Sequence, residues 1–588
     1  MKWLFPLISF PLLSLSSLQA QDSITKICID QEGYYPKSPK IAIVASVPTT
    51  TSDFPRSESS FFVIREADRD TAFRGKLSPV RSSSNSSMET RIADFSALSE
   101  AGEYRISVEG CCRSYLFQIK EKVHRPLAMA SLKAFYYQRA SMALGVEYAG
   151  QWNRHSGHPD DSVIIHPSAV SANRRAGYII STPGGWYDAG DYNKYIVNSG
   201  ITMGTLLSAY EDFNKYFDTL RTNIPELPVK IPDILNETLY NLRWMLSMQD
   251  PDDGGVYHKC TNPVFDPMVM PDACHQPRYV VQKSTAATLD FAAVTAQAAR
   301  IFNKYKKELP GLSDSCQRQS EKAWGWALIH PDLIYDQNLM NQLNTPKIVT
   351  GGYGDKKFSD EWYWAACELY ITTGRETYLE SIRKLMNEPF GLPSWSETGF
   401  LGHYSLTKHR IPGITDTEMN GIRSRLIQMA DRYIEDSKKS AFLTVMGGRK
   451  TDFNWGSNSN AANQGILLIQ AYSLTKDTKY LDAALGNLDY LCGRNATGYC
   501  FVTGIGSFST MRPHHRPSVA DGILAPVPGL LAGGPNPGEQ DHCQYIFHEP
   551  ETAYVDSDCA YASNEIAINW NAPLVYLANA LEALENNF

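Results

Sequence analysis

Two aspartates stand three residues apart in the stretch Gly184-Gly185-Trp186-Tyr187-Asp188-Ala189-Gly190-Asp191-Tyr192-Asn193. Only Ala189 and Gly190 separate them, aromatic residues flank them, and an apolar helical run from Tyr195 to Phe217 follows. Carboxylates grouped this way suit general acid and base work in a cleft. Small residues let the backbone approach a ligand, and aromatic residues offer flat apolar faces. Taken alone, an aspartate just ahead of a helical run also suits capping of the first turn, worth roughly 1 kcal/mol. What decides between the two is whether a distant acid exists to work with the pair. Glu565 is such an acid, within Tyr554-Val555-Asp556-Ser557-Asp558-Cys559-Ala560-Tyr561-Ala562-Ser563-Asn564-Glu565. It is expected at the start of the last helix with Ser563 or Asn564 as cap, where a glutamate would also complement the macrodipole. Between these segments lies Met511-Arg512-Pro513-His514-His515-Arg516-Pro517. Adjacent histidines suggest a metal, but the neighbouring arginines repel a cation. Donors to hydroxyls or to a carboxylate are the better reading.

The elements that must position these groups fall into two kinds. From about 27 to 119 the apolar pattern has period two, in Ile41-Ala42-Ile43-Val44, Phe61-Phe62-Val63-Ile64, Tyr104-Arg105-Ile106-Ser107-Val108 and Tyr115-Leu116-Phe117-Gln118-Ile119. Short strands with turn-rich connections fit a small β-sandwich. After the polar stretch Glu121 to Pro126 the period becomes helical. Helices are expected over about 126–145, 194–217, 231–249, 283–306, 316–329, 360–373, 376–387, 419–436, 459–475, 478–492 and 564–586. Connections as short as Thr373-Gly374-Arg375 make antiparallel neighbours, so near a dozen helices in hairpin pairs predict a closed helical toroid, the (α/α) barrel. Long Gly- and Pro-rich loops at 251–282, 391–404 and 503–550 interrupt it and carry Trp, His, Arg and Asp, so they read as walls of a site.

At 588 residues the chain is too long for one ordinary domain. Met1-Lys2, an apolar run from Trp3 and the ending Leu18-Gln19-Ala20 read as a signal peptide cut after Ala20, so export to the periplasm or beyond is expected, with no transmembrane segment. A net charge of -8 gives no reason to expect nucleic acid as a partner. Eleven cysteines are scattered along the chain, most of them expected as small buried hydrophobes. Cys260 and Cys274 are one candidate pair across the loop between them, and the sequence leaves the pairing open.

The motifs together resemble those of family 9 glycoside hydrolases, the inverting cellulase family, of the type with an N-terminal immunoglobulin-like domain. Asp188-Ala189-Gly190-Asp191 matches the family's D-A-G-D motif, and Tyr554, Asp556, Tyr561, Glu565, Ala567 and Asn571 match its C-terminal signature. Val502, Gly506, Pro513, His514 and Arg516 match its His-loop signature, with Cys500 and Phe508 as departures. Further matches are Gly255-Val256-Tyr257-His258-Lys259, Gly352-Tyr353-Gly354-Asp355, Trp455-Gly456-Ser457-Asn458 and Gly533-Gly534-Pro535-Asn536-Pro537-Gly538. The likeness runs from Asp30-Gln31-Glu32-Gly33-Tyr34 to the final helix.

After the signal peptide read at 1–20, the resemblance implies an immunoglobulin-like β-sandwich at 21–122 and a mainly α, (α/α)6-barrel catalytic domain at 123–588. It implies hydrolysis of β-1,4-glucosidic bonds in a β-glucan, with inversion, most simply in the interior of the polymer. Cellulose, mixed-linkage glucan and xyloglucan all present that linkage. Inversion needs a protonated acid and a carboxylate base about 6.5 to 9.5 Å apart with water between. By the resemblance, Glu565 is the acid, Asp191 the base, and Asp188 helps hold the water. His514 and Arg516 bind sugar hydroxyls and steady the aspartates, and Asp556 orients the neighbours of Glu565. Tyr192, Trp455, Tyr561 and Trp570 are sugar platforms, with plain core as the alternative for each. No cofactor is required for the chemistry, and a monomer is expected. Relatives can carry zinc on two Cys and two His ahead of the D-A-G-D motif; Arg139-Ala140-Ser141 and Ser156-Gly157-His158 lack both cysteines, so no zinc is expected. A structural calcium would use Asp360 and Glu361 plus a later acid, where Ser396 stands instead. An exo-acting glucosidase or glucosaminidase on the same fold is the nearer alternative. A non-catalytic glycan-binding protein is the remoter one, because all three acids are present.

Overall fold

The computed structural model describes residues 25–46, 53–225 and 230–588, so the expected leader lies outside the described residues. Between Thr25 and Ile119 the described residues form two packed sheets. One runs in the order Thr25–Cys28, Ile41–Ser46, Glu89–Asp94, Arg81–Ser82, with Ile43 opposite Ile92. The other runs Gly33–Tyr34, Phe117–Ile119, Gly102–Val108, Ser60–Arg65, Thr71–Lys76, with Val63 opposite Ile106. Alternate residues turn inward, as period two requires, and Ile27, Val44, Phe61, Val63, Tyr104, Ile106 and Phe117 make the core between the sheets.

Twelve helices of ten residues or more follow among the described residues: α1 Arg125–Tyr137, α2 Ile196–Phe217, α3 Asp233–Ser247, α4 Thr285–Phe302, α5 Leu312–Ile329, α6 Ser359–Thr373, α7 Glu376–Leu385, α8 Gly399–Lys408, α9 Asp416–Ser437, α10 Ser457–Thr475, α11 Thr478–Leu491 and α12 Ile568–Leu584. Inner and outer helices alternate along the chain. In α4 every residue but Arg300 is buried, as an inner helix demands, whereas α9 buries only Ile422, Leu426, Ala430 and Tyr433, a single stripe. α2 packs on α4, α4 on α6, α6 on α8, α10 on α12, and α12 back on α2. The even-numbered helices therefore line the inside of an (α/α)6 barrel.

Four expectations change. The first helix ends at Tyr137 rather than near 145, because Gln138 and Arg139 pair with the D-A-G-D segment: the Tyr187 N–H donates to Gln138 O at 2.8 Å and the Ala140 N–H to Gly185 O at 2.8 Å. The loop expected over 391–404 gives way from Gly399 onward to helix α8. Its glycines serve close packing, since a Cβ on Gly402 would sit 2.9 Å from the Tyr363 ring. The last helix begins at Ile568, not 564. Finally, the disulfide joins Cys543 to Cys559, while Cys260 and Cys274 are free thiols.

A small sheet sits at one end of the barrel in the order Ile179–Ile180, Val163–Ile165, Tyr279–Val280, Lys259–Thr261, Lys194–Tyr195. It ties the residues after Asp191 to the loop over 251–282. The sandwich also reaches the barrel. Gln31 accepts the N–H groups of Ser507 and Phe508 at 2.9 and 2.7 Å and donates to Gly498 O at 2.9 Å, so it grips the loop that leads to His514. Phe508 packs on Tyr115 and Tyr499, and Cys500 is fully buried. Of these two departures from the His-loop pattern, Phe508 fills a domain contact and Cys500 belongs to the barrel core.

Candidate active site

The aspartate pair lies in an irregular turn ahead of α2, whose N-cap is Tyr195, so Asp191 does not cap that helix. Instead its Oδ2 accepts from the Asn193 side-chain amide at 2.5 Å and from the Tyr195 hydroxyl at 3.4 Å. These bonds fix the carboxylate and leave Oδ1 free of protein hydrogen bonds. Asp188 is more enclosed. Its Oδ1 accepts from Asn198 Nδ2 at 2.8 Å and its Oδ2 from the Tyr353 hydroxyl at 2.9 Å. Burial, reinforced by the charge of Asp191, pushes the Asp188 carboxyl up to about 8.

Glu565 is not in a helix. It lies in extended backbone between the short helix Tyr561–Asn564 and α12, pairs with His514 as a bridge, and accepts the Gly533 N–H at its carbonyl at 2.8 Å. The expected macrodipole role therefore does not arise. The strand-like conformation lays the glutamate beside the aspartate turn, where the Ile568 N–H donates to Asp188 O at 2.8 Å. A Cβ on Gly190 would collide with His514 O, which is why the smallest residue stands there. Burial, then the charges of Asp191 and Asp188, drive the Glu565 carboxyl well above the ordinary glutamate range, against the pull of Arg516 and the Gly190 N–H.

The supporting residues divide by what they touch. Asp556 accepts the N–H groups of Met511 and Arg512, both at 2.8 Å, and the side-chain amide of Asn564 at 3.1 Å, so it fastens the His loop to the residue preceding Glu565. His514 donates through Nδ1 to Asp558 O at 2.6 Å, leaving Nε2 as an acceptor, and burial lowers its basicity so that the ring stays neutral. Arg516 is only 6% exposed, and its Nε and Nη1 donate to Asp266 O at 2.9 Å and Gly190 O at 2.8 Å. Arg516 therefore steadies the aspartate turn through Nε and Nη1, as expected of it. Tyr192 is 1% exposed with its hydroxyl on Val269 O, so it is core and offers no face to a sugar. Trp455, 43% exposed, lies beside Tyr561, which in turn meets His514, so three rings form an accessible strip. Trp570 is half-buried, and Gly456 lies so close that a Cβ there would come within 2.6 Å of its indole nitrogen.

Tyr353 is a residue that sequence reasoning passed over. Its backbone is left-handed (φ 48), and its hydroxyl binds Asp188. Its signal was the pair of glycines around it in a quoted motif. Lys259 steadies the preceding residues by donating to Gly351 O at 2.6 Å and Thr350 Oγ1 at 3.0 Å.

A sequence model described as glycosyl hydrolase family 9 matches residues 125–578, and one described as a cellulase N-terminal ig-like domain matches 22–113. The chain belongs to glycosyl hydrolase family 9. This family 9 chain is 46% identical over 565 residues to a xyloglucan-specific endo-beta-1,4-glucanase of Bacteroides ovatus, covering 95% of this chain and 94% of that protein. It is 31% identical to endoglucanase D of Acetivibrio thermocellus, covering 94% of this chain and 82% of that one. A solved structure of a Bacteroides ovatus family 9 protein superposes with a TM-score of 0.88 at 45% identity, covering 95% of this chain and 99% of the other. The family 9 chain is accordingly a glycoside hydrolase, and none of the helices among its described residues is long and apolar enough to cross a membrane.

A second group of acids in the family 9 chain lies around the N-terminus of α6. The charges of Asp360, Asp355 and Asp290 of α4 act on Glu361, and those of Asp360 and Asp355 act on Glu397. Both carboxylate oxygens of Asp290 and of Glu361 are buried without a hydrogen-bond partner, as are Asp360 Oδ1, Asp355 Oδ2 and Glu397 Oε1. Lys357, 3.8 Å from Glu397, is the cation in ion contact with them among the described residues. Burial first, then mutual repulsion, raises Glu361 and Asp290 well above the usual range, and Glu397 upward. Orphaned hard oxygen donors with uncompensated charge fit calcium. Glu397 stands next to Ser396 and feels the charges of Asp360 and Asp355.

Proposed function

We propose that this family 9 hydrolase is an exported, monomeric endo-β-1,4-glucanase that cuts xyloglucan-type chains by direct displacement with inversion. Glu565 protonates the leaving oxygen, and Asp191 takes a proton from the water that attacks the opposite face. Asp188, held by Asn198 and Tyr353, anchors that water; His514 Nε2 accepts from a sugar hydroxyl; Trp455 and Tyr561 stack on sugar rings. Asp556 and Arg516 are positioning residues. The division at 122/123, between a sandwich and the barrel that carries all these groups, belongs to the same reading. The observation that carries it is the pairing of a glutamate driven to its neutral form with an aspartate whose Oδ1 is free. The substrate rests on the 46% identical relative named for xyloglucan.

The test is product chromatography on xyloglucan, mixed-linkage glucan and soluble cellulose, with NMR of the first-formed anomer. Xyloglucan oligosaccharides of several lengths, released as α-anomers, are expected. Release of glucose or cellobiose alone would make the enzyme exo-acting, and a first-formed β-anomer would remove the inverting pair.

Calcium at Asp360 and Glu361, joined by Asp290, Asp355 and Glu397, completes the reading. At calcium a hundredfold above its Kd the ion contributes about 2.7 kcal/mol. A chelator is therefore expected to lower the melting temperature by a few degrees. The direction with pH follows from the raised acids. Each binds its proton more tightly folded than unfolded, so without the ion stability falls as pH rises above the unfolded value of about 4. The chelator's effect should then grow from pH 5 to pH 7, and identical melting with and without it would exclude the ion.

A further inference from the structure

Two adjacent cysteines stand apart from the active site and from both groups of acids. Cys111 and Cys112 close the hairpin between the strands Gly102–Val108 and Cys112–Arg113 of the sandwich, and both are half-buried free thiols. Their sulfur atoms are 2.7 Å apart. We propose that they form a modification site, at which the exported protein carries a disulfide between neighbouring residues, closed by exchange with a disulfide-bearing oxidant.

The first support is how the turn aims the two side chains. Successive residues of a strand point to opposite faces, which would hold these thiols apart. Here the Cys111 N–H donates to Val108 O at 3.1 Å and Gly110 takes φ 71, so Cys111 belongs to the turn and only Cys112 to the strand. The alternation is broken between them, and both side chains pack against the core of the sandwich. Even carbon atoms, which are smaller than sulfur, rest about 3.5 to 4.0 Å apart when not bonded. Adjacent residues keep their Cα atoms about 3.8 Å apart, below the usual range of about 4.4 to 6.8 Å for disulfides. A ring over one peptide bond therefore closes only where the backbone has already brought the sulfurs together, as this turn does.

Reactivity supplies the second support. The hydrogen bond from the Cys112 S–H to Cys111 Sγ pulls the Cys111 thiol below its ordinary range and pushes that of Cys112 up. Cys111 is thus the attacking thiolate. Phe62, Ser107 and Arg113 border an open hollow at the pair, so a small oxidant reaches it. Cys111 Sγ bonds to one sulfur of oxidised glutathione, or of an oxidoreductase disulfide, and the other sulfur leaves as a thiolate. Cys112 then gives up its proton and attacks Cys111 Sγ, expelling the second thiolate. The protein loses two S–H bonds and gains one S–S bond, and the oxidant leaves as two thiols carrying both protons.

The inference rests on the export proposed above, because disulfides persist in oxidising compartments. The other free cysteines are buried, apart from Cys274. Left reduced there, half-buried thiols at a hairpin tip pair with thiols of other chains. Closing on each other removes that hazard, as a monomer requires. The ring spans a single peptide bond, so it constrains little of the unfolded chain and adds little stability. Cys28, whose charge reaches Cys112, is the rival partner, but it is 3% exposed and belongs to the opposite sheet.

The test uses the protein as the cell exports it, with free thiols blocked by N-ethylmaleimide in denaturant before trypsin digestion and mass spectrometry. Arg105 and Arg113 let trypsin free the peptide over 106–113, which holds both cysteines. That peptide should carry no label and weigh two hydrogens less than its reduced form, and prior reduction should let it take two labels. Cys112→Ser should leave Cys111 to bind one glutathione from oxidised glutathione, where the unaltered chain binds none at this peptide. Two labels on the peptide beside an intact Cys543–Cys559 bond, or a link from either residue to Cys28, would overturn the proposal. Labels on Cys543 and Cys559 as well would contradict export instead. Oxidised glutathione added to that protein then decides, since closure of the ring supports the pair and lasting labels overturn it.

Discussion

Replacing Glu565 with glutamine is expected to lower kcat on glucan by roughly a thousandfold or more, within the range for loss of a general acid. The amide keeps the shape and the neutral charge of the protonated acid, so KM should stay close to its usual value. A substrate with a strongly acidic phenol as leaving group needs little protonation, and its hydrolysis should fall far less. The pH profile gives a second reading. Glu565 must be protonated to act, and its raised affinity for a proton sets the alkaline limb of kcat/KM. Stability should move the opposite way. Because the folded enzyme holds this proton more tightly than the unfolded chain does, keeping a glutamate here costs stability as pH rises above about 4. The glutamine variant should therefore be more stable at pH 7, with the gain gone below about pH 4. Near-normal turnover of glucan by this variant would exclude Glu565 as the acid.

Asp191→Ala removes the base and is expected to cost about a thousandfold in kcat, again with little change in KM. The vacated volume next to Asn193 and Tyr195 can admit a small anion. Azide, which needs no base, should restore part of the turnover of an activated β-glycoside and yield an α-glycosyl azide, as attack from the face opposite the leaving group requires. A β-azide would mean that the attacking face had been assigned wrongly. No azide product from a folded variant would place the nucleophile elsewhere.

The parts of this structure that follow a simple period were legible in the sequence. Alternation gave the sandwich strands, and helical spacing gave eleven of the twelve long helices. Helix α8 was hidden because Gly399 and Gly402 read as loop residues, although they are small in order to let Phe390 and Tyr363 approach. Glu565 was placed in the last helix for a related reason. Ser563 and Asn564 have the chemistry of caps, but their side chains are taken by the hydroxyls of Tyr545 and Tyr554, and the chain runs extended past them. Tyr192 sits next to a candidate base and looked available to a sugar; only the packing of Tyr187 and His158 around it shows otherwise. Tertiary packing decides all three cases, and no helical or strand period carries it. The candidate acids were easier to find because each is embedded in a run of unusual neighbours, whereas Tyr353 has only its glycines to mark it.

The grip of Gln31 on the loop over 498–508 bears on how such a chain can be inherited. One amide side chain near the amino terminus braces a segment that arrives almost five hundred residues later and leads directly to His514. Gene fusion that exchanged the front module for a foreign one would leave that segment without its brace, so the two modules form one unit of descent.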